Sequence, residues 1–194
     1  MRIKGLTSLR SIICVILFIW TAINFTSCNN DTVESTYAKY RAYFRYDNVM
    51  TTQPFYAALT GAGQYCSVYV QNKRLYFSSL TKSDTVSLTA VAYYESFISI
   101  DGFIAGLSNV PDMNTGTLPW VAYDRACPNC YENDGITHPL SLKENGFAYC
   151  TRCKRTYDLN NLGFLVSGDA GIKMYRYRIA YNGSNLVIIQ NSAQ

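Results

Sequence analysis

Trp120-Val121-Ala122-Tyr123-Asp124-Arg125-Ala126-Cys127-Pro128-Asn129-Cys130 is followed, after a spacer of 19 residues, by Cys150-Thr151-Arg152-Cys153-Lys154-Arg155-Thr156-Tyr157-Asp158-Leu159. Each stretch carries a Cys-x-x-Cys pair. At that spacing two sulfurs reach one side of a metal ion, and the two pairs together supply four. Four thiolates in a tetrahedron suit zinc, a single iron or an iron–sulfur centre. The spacer length is that of paired motifs that mark zinc sites. Cys127, Cys130, Cys150 and Cys153 are therefore the candidate metal ligands. Two local disulfides are the competing use of the same residues in an oxidising compartment.

Outward from these motifs, the chain has 194 residues, enough for one domain with a real core and a small subdomain. Seventeen tyrosines and nine phenylalanines, against 15% charged residues, favour strands. The formal charge of +4 misleads. Arg2, Lys4 and Arg10 account for three of the 17 basic residues, and no acidic residue precedes Asp31. Without them 14 basic residues face 13 acidic ones, a balance of +1. A near-neutral body gives no support for nucleic-acid binding, which needs a basic face.

The positive start leads into Ile12-Ile13-Cys14-Val15-Ile16-Leu17-Phe18-Ile19-Trp20, a run too short for a membrane span. Residues 1–27 thus read as an export signal. Phe25-Thr26-Ser27-Cys28, before polar Asn29-Asn30-Asp31, resembles the lipobox of bacterial lipoproteins. That resemblance implies acylation of Cys28, which becomes the first mature residue. Several acyl chains on one residue anchor stably where one would not. The expected location is the bacterial cell envelope, at the periplasmic or surface face of the outer membrane, with the membrane as partner through Cys28. Residues 28–35 read as a polar tether and residues 36–194 as the folded domain.

Within that domain, Thr36 to Tyr46 reads as a strand, although its tyrosines also fit a helical stripe. A tyrosine-rich surface also suits glycan stacking, but core packing accounts for the same residues, and no particular protein or glycan partner is legible. Phe55 to Leu59 reads as a short helix stopped by Gly61-Ala62-Gly63. Cys66 to Val70 and Arg74 to Ser78 flank Gln71-Asn72-Lys73 as a hairpin. Val86 to Tyr94 alternates as a strand. Gly102-Phe103-Ile104-Ala105-Gly106 reads as a buried strand with close backbone approach at its glycines. Trp120 to Tyr123 is a strand delivering Cys127. Lys173 to Tyr181 and Asn185 to Ile189 alternate around Asn182-Gly183, a strong hairpin signal.

From Leu118 to Ile189 the chain resembles the Rieske domain family. That pattern has a Cys-x-His loop, a spacer, a Cys-x-x-His loop, an aromatic-Asp pair, a glycine turn and a closing hairpin. Here Tyr157-Asp158, Gly163, Gly168 and Asn182-Gly183 follow the cysteines in that order. A Rieske cluster needs a histidine from each loop. Cys130 and Cys153 stand where those histidines belong, and the one histidine, His138, lies between the motifs. The resemblance implies an all-β, Rieske-like β-sandwich. Its metal-binding tip, zinc-ribbon-like, would span residues near 119–160. It does not imply the oxidoreductase role.

The metal follows from the leader. It lacks an Arg-Arg pair, so export is Sec-type and the chain crosses unfolded. Zinc binds after export without assembly machinery and ranks first; a 2Fe–2S cluster and mononuclear iron follow. Arg125, Arg152, Lys154 and Arg155 are candidates to offset the double negative charge of four thiolates on a divalent ion. His138 reads as an ordinary loop residue and Cys66 as a buried small hydrophobe. No Ser-His-Asp set, phosphate-binding glycine loop or open metal position is legible, so no enzymatic activity is expected. The sequence points to a non-enzymatic binding or interaction module. An electron-transfer protein is second and a thiol–disulfide redox protein third. The spacer from Tyr131 to Asn145 has few large apolar residues, so the metal is expected to hold it in place.

Overall fold

The computed structural model describes residues 37–88 and 97–191. The expected export signal, Cys28, the expected tether and most of the expected Val86–Tyr94 strand lie outside the described residues. Those described belong to one compact unit. Among them, no helix is long and apolar enough to cross a membrane.

Strand β1 is Ala42–Tyr46. Its alternate residues Ala42, Phe44 and Tyr46 point inward, while Arg45 stays exposed, as the pleat dictates. A 3-10 turn, Val49–Thr51, leads to helix α1, Gln53–Thr60. Pro54 sits in its first turn, where no N–H partner is lost, and Phe55, Ala58 and Leu59 form the buried stripe. Strands β2 (Gln64–Gln71) and β3 (Arg74–Ser78) form the expected hairpin. Asn72 and Lys73 take φ of 50° and 58°, the two left-handed positions of a type I′ turn.

Next come β4 (Ser83–Ser87), β5 (Phe97–Ile98), β6 (Phe103–Leu107) and β7 (Trp120–Asp124). Later, β12 (Arg176–Tyr181) and β13 (Val187–Asn191) close the chain. These strands make one sheet of nine, ordered β4-β3-β2-β6-β7-β12-β13-β1-β5 and antiparallel throughout. A second sheet holds β8 (Leu140–Lys143), β9 (Phe147–Cys150), β10 (Thr156–Asp158) and β11 (Phe164–Ser167), ordered β11-β10-β9-β8. The all-β expectation holds.

Strands β2, β6 and β7 are buried on both faces, which gives the described residues two cores. On β6, Phe103 and Ala105 enter the first core while Ile104 enters the second. On β7, Ala122 faces the first, and Val121 and Tyr123 the second. The first core is aromatic: Phe44, Phe55, Phe77 and Phe103 are buried, and the Phe55 and Phe77 rings lie 5.2 Å apart. Each such side chain contributes about 1.5–3 kcal/mol by leaving water. The second core packs the small sheet, through Leu140, Ala148, Tyr157 and Leu159, onto the large one. Gly106 shows how tight this is: a Cβ there would strike the Gln64 carbonyl oxygen and the Tyr65 ring. That is the close approach the sequence suggested.

The spacer departs from expectation. Its second half is strand β8, with Leu140 fully inside the second core and Leu142 packed against it. Only its first half lacks such packing, with residues 132–137 exposed. The Asn182-Gly183 hairpin also differs in detail. Its loop spans residues 182–186, and the Asn182 side chain accepts from the Ser184 and Leu186 N–H groups.

Asp124 fixes how β7 leaves the sheet. It is fully buried, and its carboxylate accepts from the N–H groups of Ile100 (3.0 Å), Asp101 (3.2 Å) and Ala126 (2.8 Å), and from the Tyr177 hydroxyl (3.0 Å). Burial pushes its carboxyl up to about 6, against the pull of these donors. The Ala126 bond turns the chain just before Cys127. Asp124→Asn keeps the volume but aims an NH2 group at donors. Each buried donor left unpaired costs about 1–3 kcal/mol, so a loss of about 2–4 kcal/mol is expected from urea unfolding. An unchanged midpoint would mean that Asp124 is not the hub of this turn.

Candidate metal centre

The first cysteine pair is built by a helix start. Helix α2 is Pro128–Asp134, with Cys127 as its N-cap residue and Pro128 in its first turn. The Tyr131 N–H donates to the Cys127 carbonyl at 3.0 Å, which closes the turn. Cys127 and Cys130 are three apart on this turn and share a side. The second pair is built by a hairpin end. Cys150 finishes β9, and its N–H donates to the Arg155 carbonyl at 2.9 Å while the Lys154 N–H donates back to its own carbonyl at 3.0 Å. Lys154 takes φ of 61°, which turns the chain tightly past Cys153.

The two turns face each other. The Cys127 and Cys153 sulfurs are 3.6 Å apart, those of Cys130 and Cys150 are 3.7 Å apart, and all four lie within 4.8 Å of one another. Sulfurs bound at about 2.3 Å to one tetrahedral ion stand about 3.8 Å apart by geometry. The observed set fits such an ion. It does not fit disulfides, whose sulfurs stand about 2.05 Å apart; all four cysteines are free. Cys127 and Cys150 have no exposed surface, Cys130 has 4%, and Cys153 is half-buried.

Burial pushes the Cys127 thiol up to about 11 and raises that of Cys130 further. Burial also pushes Cys153 up, but the Arg155 backbone N–H and guanidinium, with the neighbouring thiols, outweigh it and hold that thiol at about 7. A bound cation favours the thiolate form of all such groups.

A ring of contacts holds the sulfurs in place. The Tyr157 hydroxyl accepts from Asn129 Nδ2 at 2.8 Å, which leaves its own hydrogen free for Cys127 Sγ at 3.4 Å. Asn129 also grips Ile172 on both sides: Nδ2 donates to its carbonyl and Oδ1 accepts from its N–H, each at 2.9 Å. Arg155 reaches the same loop, donating to the carbonyls of Asp169 (2.9 Å) and Ala170 (3.0 Å). Loop 168–172 is thereby tied to both cysteine turns. Gly171 makes this possible, since a Cβ there would collide with the Asn129 carboxamide. Helix α2 is fastened on its far side, where Glu132 accepts from the Tyr40 and Tyr175 hydroxyls at 2.8 Å each and pairs with Lys39 at 3.4 Å.

Of the four cations expected to balance the thiolates, Arg155 is the one beside Cys153 that draws its thiol down. Arg125 is drawn elsewhere, to a 3.1 Å ion pair with Asp101 and to the Tyr69 ring 3.9 Å away. Arg152 and Lys154 are exposed beside Cys153. His138 stands outside the cluster; its carbonyl accepts from the Cys127 N–H at 2.8 Å. Cys66 is fully buried in the first core, as expected. The sequence does not single out Asn129 or Gly171, and it offers Tyr157 only as half of the aromatic-Asp pair, with no contact to a cysteine. The one local signal was Asn129 inside a Cys-x-x-Cys pair, which does not reveal a partner 43 residues on.

Residues that orient metal ligands typically matter about 10–100-fold in affinity. Asn129→Ala and Gly171→Ala should each weaken metal retention by roughly that factor in chelator competition, while Arg152→Ala should leave it unchanged. Equal retention in all three would show that loop 168–172 does not support the site.

Compared with known proteins, the chain matches no family model and no curated sequence.

Proposed function

We propose that Cys127, Cys130, Cys150 and Cys153 hold one structural zinc ion in the Rieske-like tip of an exported, lipid-anchored protein of the cell envelope. The protein works as a non-enzymatic binding or interaction module. The observation that carries this reading is the mutual approach of the four sulfurs, all within 4.8 Å. A binuclear cluster divides its thiolates between two irons. Sulfurs on opposite irons then stand apart by the metal–metal separation as well as by their bonds. The close set here favours a single ion over a 2Fe–2S cluster.

Four thiolates fill a tetrahedron and leave no position for water or substrate, which argues for a structural role. The Rieske resemblance is supported by arrangement. The two cysteine turns follow β7 and β9, the sulfurs of both meet, and Arg176 to Asn191 forms an antiparallel hairpin in the large sheet. Zinc is placed ahead of iron by the Sec-type leader, and the envelope location and the lipid on Cys28 rest on that leader too. The second reading, a rubredoxin-like iron centre for electron transfer, uses the same sulfur geometry. A thiol–disulfide redox protein is third.

Elemental analysis of protein purified from its native envelope should find zinc, with no visible absorbance; red-brown protein containing iron would replace it with electron transfer. Mass spectrometry of the mature N-terminus should find lipid on Cys28, and a lipid-free end elsewhere would remove the anchor. The structural role has its own test. Chelation should speed hydrogen exchange in residues 127–136, 151–155 and 168–172, while β8, β9, β10 and the large sheet keep their protection through the second core. Unchanged exchange at the cysteine turns after metal loss would contradict a structural ion.

A further inference from the structure

The four thiols differ in access. Cys127 and Cys150 are wholly enclosed and Cys130 nearly so, while Cys153 keeps exposed surface between exposed Arg152 and Lys154. The enclosed ligands have the hydrophobic second core behind them, with Leu140, Ala148 and Tyr157 packed there. A reagent arriving from solvent meets Cys153 first. Behind it, 3.6 Å away, is Cys127 Sγ, steadied by the Tyr157 hydroxyl and so by Asn129. The pair joins the two motifs rather than closing one of them.

Resting on the metal-centre reading above, we propose that Cys153 is a modification site for low-molecular-weight disulfides, and that a Cys127–Cys153 bridge then forms and expels the ion. Cys153 Sγ attacks one sulfur of R–S–S–R. That S–S bond breaks, RS⁻ leaves, and a mixed disulfide remains on Cys153. Cys127 Sγ attacks the Cys153 sulfur and displaces the second RS⁻. Two protein thiolates are oxidised by two electrons, and one external disulfide is reduced to two thiolates. The ion loses two of its four ligands and leaves as the divalent cation, with Cys130 and Cys150 still reduced. Thiol–disulfide exchange requires access as well as a thiolate, and access is what separates Cys153 from the other three. Cys66, fully buried and away from the cluster, takes no part.

Zinc-loaded mature protein, which lacks Cys14 and has Cys28 acylated, is treated with glutathione disulfide and quenched with acid at intervals. Zinc release is followed with a chromogenic indicator, and adducts and crosslinks are located by peptide mass spectrometry. The first glutathione adduct should fall on Cys153, and a Cys127–Cys153 crosslink should then rise in step with zinc release. Cys153→His keeps a four-ligand zinc set without the exposed thiolate. It should release zinc roughly tenfold more slowly under the same oxidant. A first adduct on Cys127, Cys130 or Cys150 would overturn the proposal, as would a final Cys150–Cys153 crosslink or equally fast release from Cys153→His. If that variant fails to hold zinc, adduct order and crosslink identity in the unsubstituted protein decide. If the unsubstituted protein binds no zinc at the outset, the metal reading fails by itself, and the same adduct order still judges Cys153.

Discussion

Four sulfurs from two distant turns approach within 4.8 Å of one another, and the tip is arranged to keep them there. Thiols have weak mutual attraction and three of these are enclosed, so nothing in their own chemistry gathers them. A cation does. Structural zinc supplies about 10–16 kcal/mol of apparent binding energy, comparable to the whole stability of a domain at about 5–15 kcal/mol. The helix start that aligns Cys127 with Cys130, the tight turn at Lys154, and the Asn129–Ile172 clamp all converge on that one point.

The sulfur cluster does not stand on a detached loop. It rests on strands that are buried on both faces. Ile104, Val121 and Tyr123 turn toward the small sheet while their neighbours Phe103, Ala105 and Ala122 fill the other core. This divides the labour between two sources of free energy. Hydrophobic burial holds β8, β9 and β10 against the large sheet. A bound metal would have only to join the turns between them and, through Asn129 and Arg155, loop 168–172.

What the sequence disclosed was local. The two Cys-x-x-Cys pairs, the Asn72-Lys73 turn and the tight strand around Gly106 each act within a few residues, so their spacing alone carries the message. Other features depend on pairings made only by the fold. Asn129 meets Ile172, Arg155 meets Asp169 and Ala170, and Asp124 collects donors from Ile100, Asp101, Ala126 and Tyr177. Glu132 joins Tyr40 to Tyr175 in the same way. Arg125 shows the reverse: closeness in sequence to Cys127 suggested a charge-balancing role, yet its guanidinium is engaged by Asp101 and Tyr69. The spacer looked poor in apolar residues, yet Leu140 and Leu142, on the inner face of β8, anchor its second half.

X-ray absorption at the metal edge of the purified protein tests the central claim most directly. The account requires one shell of four sulfurs at about 2.3 Å, with no metal neighbour and no nitrogen or oxygen in the first shell. A second metal scatterer, or a first shell with fewer sulfurs, would contradict it.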